Sequence, residues 1–196
     1  MAIGTYMAIE HIAIIGAGQM GNGIAQVSSC AGYKVTMIDI KQEFVDKGMS
    51  TIEKSLAKLV SKEKISEDEA RSALSRISIS TDNSSASDAD LVIEAIPEVL
   101  SYKTDLFKEL DSFCKPETIL ATNTSSISID SIASATGRPD RVIGMHFMNP
   151  VPIMRLVEII NGSSTSDEVN AAVVNAAEKM GKTALSCNDS PGFVSN

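Results

Sequence analysis

Short apolar runs separated by longer amphipathic stretches organise this chain, and the two periods predict its elements in turn. Residues 9–15 form an apolar run closed by Gly16, which reads as a buried strand. Residues 19–31 read as a helix ended by Gly32, and 34–38 as a second buried strand stopped by Asp39. A long polar helix runs from residue 41 to about 61, with Phe44, Val45, Ile52, Leu56, Leu59 and Val60 along one side. Ser66 followed by Glu67, Asp68 and Glu69 supplies a cap and an acidic first turn for another helix. Strands follow at 77–80 and 91–96, a helix at 100–113, a strand at 118–121 and a short helix at 127–133. The pattern closes with strands at 142–146 and 156–160, a helix at 166–180 capped by Gly181, and a short strand at 183–186. Strands alternating with helices predict an α/β fold with a doubly wound, mostly parallel sheet. No repeat, low-complexity segment or internal linker interrupts it.

Two ionisable residues break the apolar pattern. His146, one of two histidines, ends the run at 142–146, and Glu158 sits inside Leu156-Val157-Glu158-Ile159-Ile160. An unpaired charge among strand-forming residues is costly, so each is the natural partner of the other. A histidine held by a carboxylate is a common general base near neutral pH. Taken singly, His146 also reads as a satisfied core histidine, and Glu158 as an edge-strand residue facing solvent.

Composition narrows the setting. The chain has 196 residues, 43% of them hydrophobic, which supports a real core and excludes disorder. A net charge of −8 argues against a nucleic-acid partner. No apolar run is long enough to span a membrane, and no signal-peptide pattern opens the chain. Cys30, Cys114 and Cys187 are far apart and form no metal-ligand spacing, which points to a reducing, cytoplasmic setting without a metal. Met7 offers an alternative start, which would make residues 1–6 an extension.

Gly16-Ala17-Gly18-Gln19-Met20-Gly21 lies between a predicted strand and a predicted helix. In that context the first glycine serves a tight turn, the second lets backbone approach a pyrophosphate, and the third allows close helix–strand packing. Asp39 closes the next strand, where an acid binds the adenine ribose hydroxyls. A carboxylate there repels a 2′-phosphate, so NAD is preferred over NADP; FAD shares the fingerprint but usually needs a further domain. Ala121-Thr122-Asn123-Thr124-Ser125-Ser126 follows another strand, either as a plain hydroxyl-rich turn or as part of a ligand site. Asn149-Pro150-Val151-Pro152 reads as a rigid turn whose asparagine is within reach of a ligand. Lys54, Lys58 and Lys62 share one face of the long helix, as a solvated row or as an attractor for a polyanion.

Together GAGQMGNGIAQ, VIEAIPE, ATNTSS, IGMHFMNPVPIMRLVEII and SPGFVSN closely resemble the N-terminal NAD-binding, Rossmann-type domain of L-3-hydroxyacyl-CoA dehydrogenases. The resemblance spans residues 9–196 and includes the 3-hydroxybutyryl-CoA enzymes. It implies NAD-dependent oxidation of the 3-hydroxyl of an acyl-CoA, in fatty-acid metabolism. It implies His146 as general base, Glu158 as the carboxylate that orients it, Ser125 near the reacting oxygen and the nicotinamide, and Asn196 at the reacting carbonyl. It implies Asp39 at the ribose, and Glu98, Lys103 and Asn149 on the cofactor side, beside the Gly16–Gly21 loop. Ser55 and Lys62 match positions that contact the CoA moiety, as Ser125 contacts substrate. The family continues into an all-helical domain of roughly 100 residues that builds most of a homodimer interface. The expected division is therefore residues 7–190 as the NAD-binding domain and 191–196 as the start of the connection. The family usually reads GFVVNR where this chain has Ser195 and then Asn196. Two other readings stay open: an NAD-binding module without turnover, and a dehydrogenase of small hydroxy acids such as L-gulonate.

Overall fold

The computed structural model describes residues 7–189. The expectations for residues 1–6, for 191–196 and for Asn196 fall outside that range. Eight strands form one sheet in the order β3-β2-β1-β4-β5-β6-β7-β8. They are β1 (His11–Ile15), β2 (Lys34–Ile38), β3 (Ile77–Ser80), β4 (Leu91–Glu94), β5 (Ile119–Thr122), β6 (Val142–Phe147), β7 (Leu156–Asn161) and β8 (Thr183–Asn188). The first six run parallel; β7 is antiparallel to β6, and β8 parallel to β7. The helices are α1 (Gln19–Cys30), α2 (Gln42–Ser61), α3 (Glu67–Ser75), α4 (Leu100–Phe113), α5 (Ile129–Ala133) and α6 (Asp167–Lys179).

Strand alternation separates two cores. Ile12 and Ile14 face a layer with Ile24 of α1, Ile52 and Leu56 of α2, Ala73 of α3 and Val173 of α6. Ala13 and Ile15 face the other side, against Phe107 and Leu110 of α4 and Ile132 of α5. Both faces of the central strands are buried, so these strands read as continuous apolar runs rather than alternating ones. The doubly wound sheet is as expected. No helix among the described residues is long and apolar enough to cross a membrane.

Strand and helix ends differ from the pattern for local reasons. The first strand begins at His11, because the Glu10 and His11 amides donate to the Asp90 carboxylate instead of a neighbouring strand. The fourth stops at Glu94, whose own side chain takes the Ile96 amide just before Pro97. Helix α5 starts at Ile129 because Ser128 caps it. Phe44 does not join the apolar side of α2; it stays exposed with the Lys41 ammonium 5.4 Å from its ring. The Ser66–Glu69 capping box forms as predicted.

Arg138 holds α4 in place, and no pattern in the sequence announces it. Its guanidinium is nearly buried and donates to the Asp111 carboxylate at 2.6 Å and to the carbonyls of Asp111, Cys114, Lys115 and Thr118. Carbonyls at the C-terminal end of a helix lack intrahelical donors, so one fork of N–H groups satisfies several of them. The result fixes α4 against the start of β5.

His11 lies at the start of β1, the end of the sheet away from the glycine loop. It bonds Thr36 at 2.8 Å and faces Asp88 at 3.2 Å. Burial and then the Lys34 charge push its pKa below the usual 6.5, against the pull of Asp88 and Asp90. The folded state therefore favours neutral His11. Its contribution to stability is complete above about pH 6.5 and falls as pH drops through the lowered folded value. Thermal melts from pH 7.5 to 5 should show a smaller loss for His11→Gln than for the native chain; equal slopes would contradict this.

Candidate active site

The C-terminal ends of the parallel strands share one edge of the sheet, and the candidate residues gather there. Strand order reverses direction between β1 and β4, which opens a crevice at that edge. Gly16 leaves β1 with φ 109°, and a Cβ there would sit 2.6 Å from the Ala95 carbonyl oxygen on the β4 side. A Cβ on Gly21 would lie 1.8 Å from the Gly16 carbonyl oxygen, so α1 presses directly on the loop. A Cβ on Gly18 would meet nothing within 4 Å. That opening lies over the N-terminus of α1, which has no side-chain cap and no acidic residue in its first turn. By contrast, Ser66 and Ser166 cap α3 and α6 with their own hydroxyls. An uncapped helix start with room above it suits a pyrophosphate.

Asp39 follows β2, half-buried, and its carboxylate accepts the Ala17 amide at 2.7 Å and the Ile40 amide at 2.7 Å. It therefore shapes the glycine loop as well as facing the cleft. A cleft of about 320 Å³ opens beside it, lined among others by Gly16, Ile40, Ile96, Tyr102 and Leu106. Its size and partly apolar wall suit an adenosine. Gln19 at the start of α1 donates to Asn149 at 3.0 Å, linking the glycine loop to the turn after β6. Met20 packs half-buried behind it.

His146 and Glu158 are direct cross-strand partners on β6 and β7. The imidazole Nδ1 lies 3.5 Å from Glu158 Oε1, with Glu158 fully buried and His146 nearly so. This corrects the edge-strand reading of Glu158: β8 covers the outer side of β7. Neighbouring strands are joined at this edge by the Phe147 amide, which donates to the Asn123 side chain at 2.9 Å. The loop bearing Ser125 thus starts beside the end of the strand bearing His146.

Glu98 and Lys103 belong to one hydrogen-bonded set with a residue that sequence reading passed over, Glu94. Lys103, almost fully buried, reaches Glu94, the Ile96 carbonyl at 3.3 Å and Glu98 at 3.3 Å. Glu94 also takes the Thr122 hydroxyl at 2.7 Å. Burial pushes the Glu94 carboxyl up, opposed by the Lys103 charge and these bonds. Glu98 accepts the Thr124 hydroxyl and the Ser125 and Ser126 amides at 3.0 and 3.4 Å. Burial would raise the Glu98 pKa, but the Thr124 bond, the Lys103 charge and the Ser125 amide together hold it below its usual value. Lys182 was also missed. Nearly buried, it donates to the Val151 and Met154 carbonyls at 2.5 and 2.8 Å and so holds the turn after Asn149.

Ser55 and Lys62 stand apart from this edge. Ser55 is half-buried on α2 and Lys62 is the exposed residue just past its C-terminal end, with Lys54 and Lys58 exposed on the helix itself.

The family model described as 3-hydroxyacyl-CoA dehydrogenase, NAD binding domain, matches residues 11–190. A probable 3-hydroxybutyryl-CoA dehydrogenase of Deinococcus radiodurans is 57% identical over 183 residues, covering 93% of this chain and 66% of its own length. A probable 3-hydroxybutyryl-CoA dehydrogenase of Bacillus subtilis is 54% identical over 190 residues, covering 97% and 66%. The crystal structure of (S)-3-hydroxybutyryl-CoA dehydrogenase from Ralstonia eutropha superposes with a TM-score of 0.94 at 46% identity, covering 95% of this chain and 66% of that one. The chain thus spans just under two thirds of the length of these relatives.

Proposed function

The chain belongs to the 3-hydroxyacyl-CoA dehydrogenase family as its NAD-binding domain, and on that premise we propose that the protein oxidises the 3-hydroxyl of a short-chain 3-hydroxyacyl-CoA to a ketone, and reduces it in reverse. The observation that carries this reading is the buried His146–Glu158 pair at the same sheet edge as the uncapped start of α1. Relatives named 3-hydroxybutyryl-CoA dehydrogenase support the short-chain substrate. A cytoplasmic homodimer acting on acyl-CoA, with neither nucleic acid nor membrane as partner, completes the proposal.

NAD, when bound, supplies the hydride acceptor. Gly16, Gly18, Gln19, Met20 and Gly21 would hold its pyrophosphate, and Asp39 its adenine ribose. Asn149, Glu98 and Lys103 would lie toward its nicotinamide half. His146 removes the proton from the substrate hydroxyl. Glu158, on the Nδ1 side, orients the ring so that Nε2 faces the substrate, and its charge stabilises the imidazolium that forms. Ser125 hydrogen-bonds the reacting oxygen, an expectation that Asn196 shares. Ser55 and Lys62 would contact the CoA moiety.

The direct test is NADH oxidation with acetoacetyl-CoA and with oxidised small hydroxy acids, run beside an NADH fluorescence titration. Turnover with the CoA thioester alone fits the proposal. Binding without turnover favours a silent module, and turnover with the small acids favours the other substrate class. Asp39→Asn should weaken NADH about 10–100-fold, the size expected for hydrogen bonds to a charged group, while leaving NADPH affinity no weaker. Unchanged NADH affinity would remove Asp39 from the ribose site.

A further inference from the structure

The buried set around Lys103 is more elaborate than folding requires. Lys103 lies on the buried side of α4, in line with Leu106 and Leu110, where a methionine would fill the space without a charge. A buried ion pair is rarely worth more than a well-packed apolar pair, so its cost calls for another use. Its bonds end on strand ends and loops at the reactive edge. Glu94 holds Thr122, at the end of β5, and the Ile96 amide, just after β4. Lys103 holds the Ile96 carbonyl and one oxygen of Glu98. The other Glu98 oxygen receives Thr124, Ser125 and Ser126. These residues leave the sheet after β5, and a single side chain from the β4–α4 loop gathers them.

We propose that Glu94 and Lys103 are positioning residues: they hold the Glu98 carboxylate, and Glu98 holds the loop that presents the Ser125 hydroxyl to the reacting oxygen. This deepens the proposed function and rests on Ser125 as a substrate-binding serine. Glu94 and Lys103 take no part in the proton transfer. They set the position of a group that does bind substrate, and small displacements of such a group cost rate more than affinity.

The test separates position from stability. Lys103→Met strands Glu94 in the interior and should lower Tm by about 5–15 °C. Adding Glu94→Gln removes the stranded charge and should restore most of that loss. It should not restore the loop. In the double variant the Ser125 and Ser126 amides should exchange at least about tenfold faster, the effect of weakening bonds to a charged acceptor. Its kcat with acetoacetyl-CoA, measured at saturating NADH, should stay at least about tenfold below the native value. Recovery of kcat and amide protection together with Tm would overturn the proposal, because the set would then be only structural. Glu98→Gln, at a half-exposed position, covers the case in which the double variant does not fold. It should speed the same amides and lower kcat, and native behaviour in both would also overturn the proposal. A native protein without acyl-CoA turnover would count against the proposed function alone, since amide exchange still decides the positioning.

Discussion

Replacing His146 with glutamine is expected to lower kcat for 3-hydroxybutyryl-CoA oxidation by about 10²–10⁴-fold, the usual contribution of a positioned general base. Glutamine has similar length and keeps an N–H for Glu158, so the β6–β7 pairing should survive. It lacks a nitrogen basic enough to take a hydroxyl proton. The NADH dissociation constant should stay within about threefold, because His146 lies on β6 rather than in the glycine loop. Steady-state kinetics beside a fluorescence titration gives both numbers. Turnover within about threefold of native would remove His146 from the chemistry.

The second large effect is expected at Gly21. An added methyl would stand 1.8 Å from the Gly16 carbonyl oxygen, far inside contact distance, with backbone on both sides. Helix α1 would have to back away from the loop, which loosens Ile24 and Ala25 in the core and displaces the amides at its start. Gly21→Ala should therefore lower NADH affinity and also folding stability, the latter by at least the ~1–3 kcal/mol typical of overpacking. Gly18→Ala makes the useful contrast. Its methyl would enter open space, so Tm should hold, while NADH affinity should fall on the proposal that this space is the approach for the pyrophosphate. Scanning calorimetry and titration of both variants test this. Native affinity in Gly18→Ala would mean that the opening over α1 is not the pyrophosphate site.

Much of this was legible in the residues because strand burial and helix amphipathicity leave different periods. Strands β2 and β3 and helix α4 occupy the predicted residues. The glycine loop was legible because each glycine answers a separate steric demand. His146 and Glu158 showed themselves as charges inside apolar runs. Glu94 carries the same signature, within residues 91–96, and went unremarked because no partner stood nearby in sequence. Lys103 was placed in the candidate site by resemblance alone. It shares its stripe on α4 with Leu106 and Leu110, and a lysine on an apolar stripe is the signal that would have exposed the pair. Arg138 and Lys182 could not be anticipated in the same way. Both bond backbone carbonyls brought together only by the fold, and carbonyls leave no trace in side-chain pattern. The ends of β1, β4 and α5 moved for a related reason: Asp90, Glu94 and Ser128 capture amides that a propensity reading assigns to regular structure.

The central claim is that the His146–Glu158 pair is a proton-accepting dyad facing a bound nicotinamide. The most direct measurement is kcat/KM for 3-hydroxybutyryl-CoA oxidation in the native protein and in Glu158→Gln, with NADH binding followed in parallel. Glu158→Gln should keep its NADH affinity and lose at least about tenfold in rate, since nothing then holds the imidazole in its working orientation. A native rate in Glu158→Gln would contradict the claim.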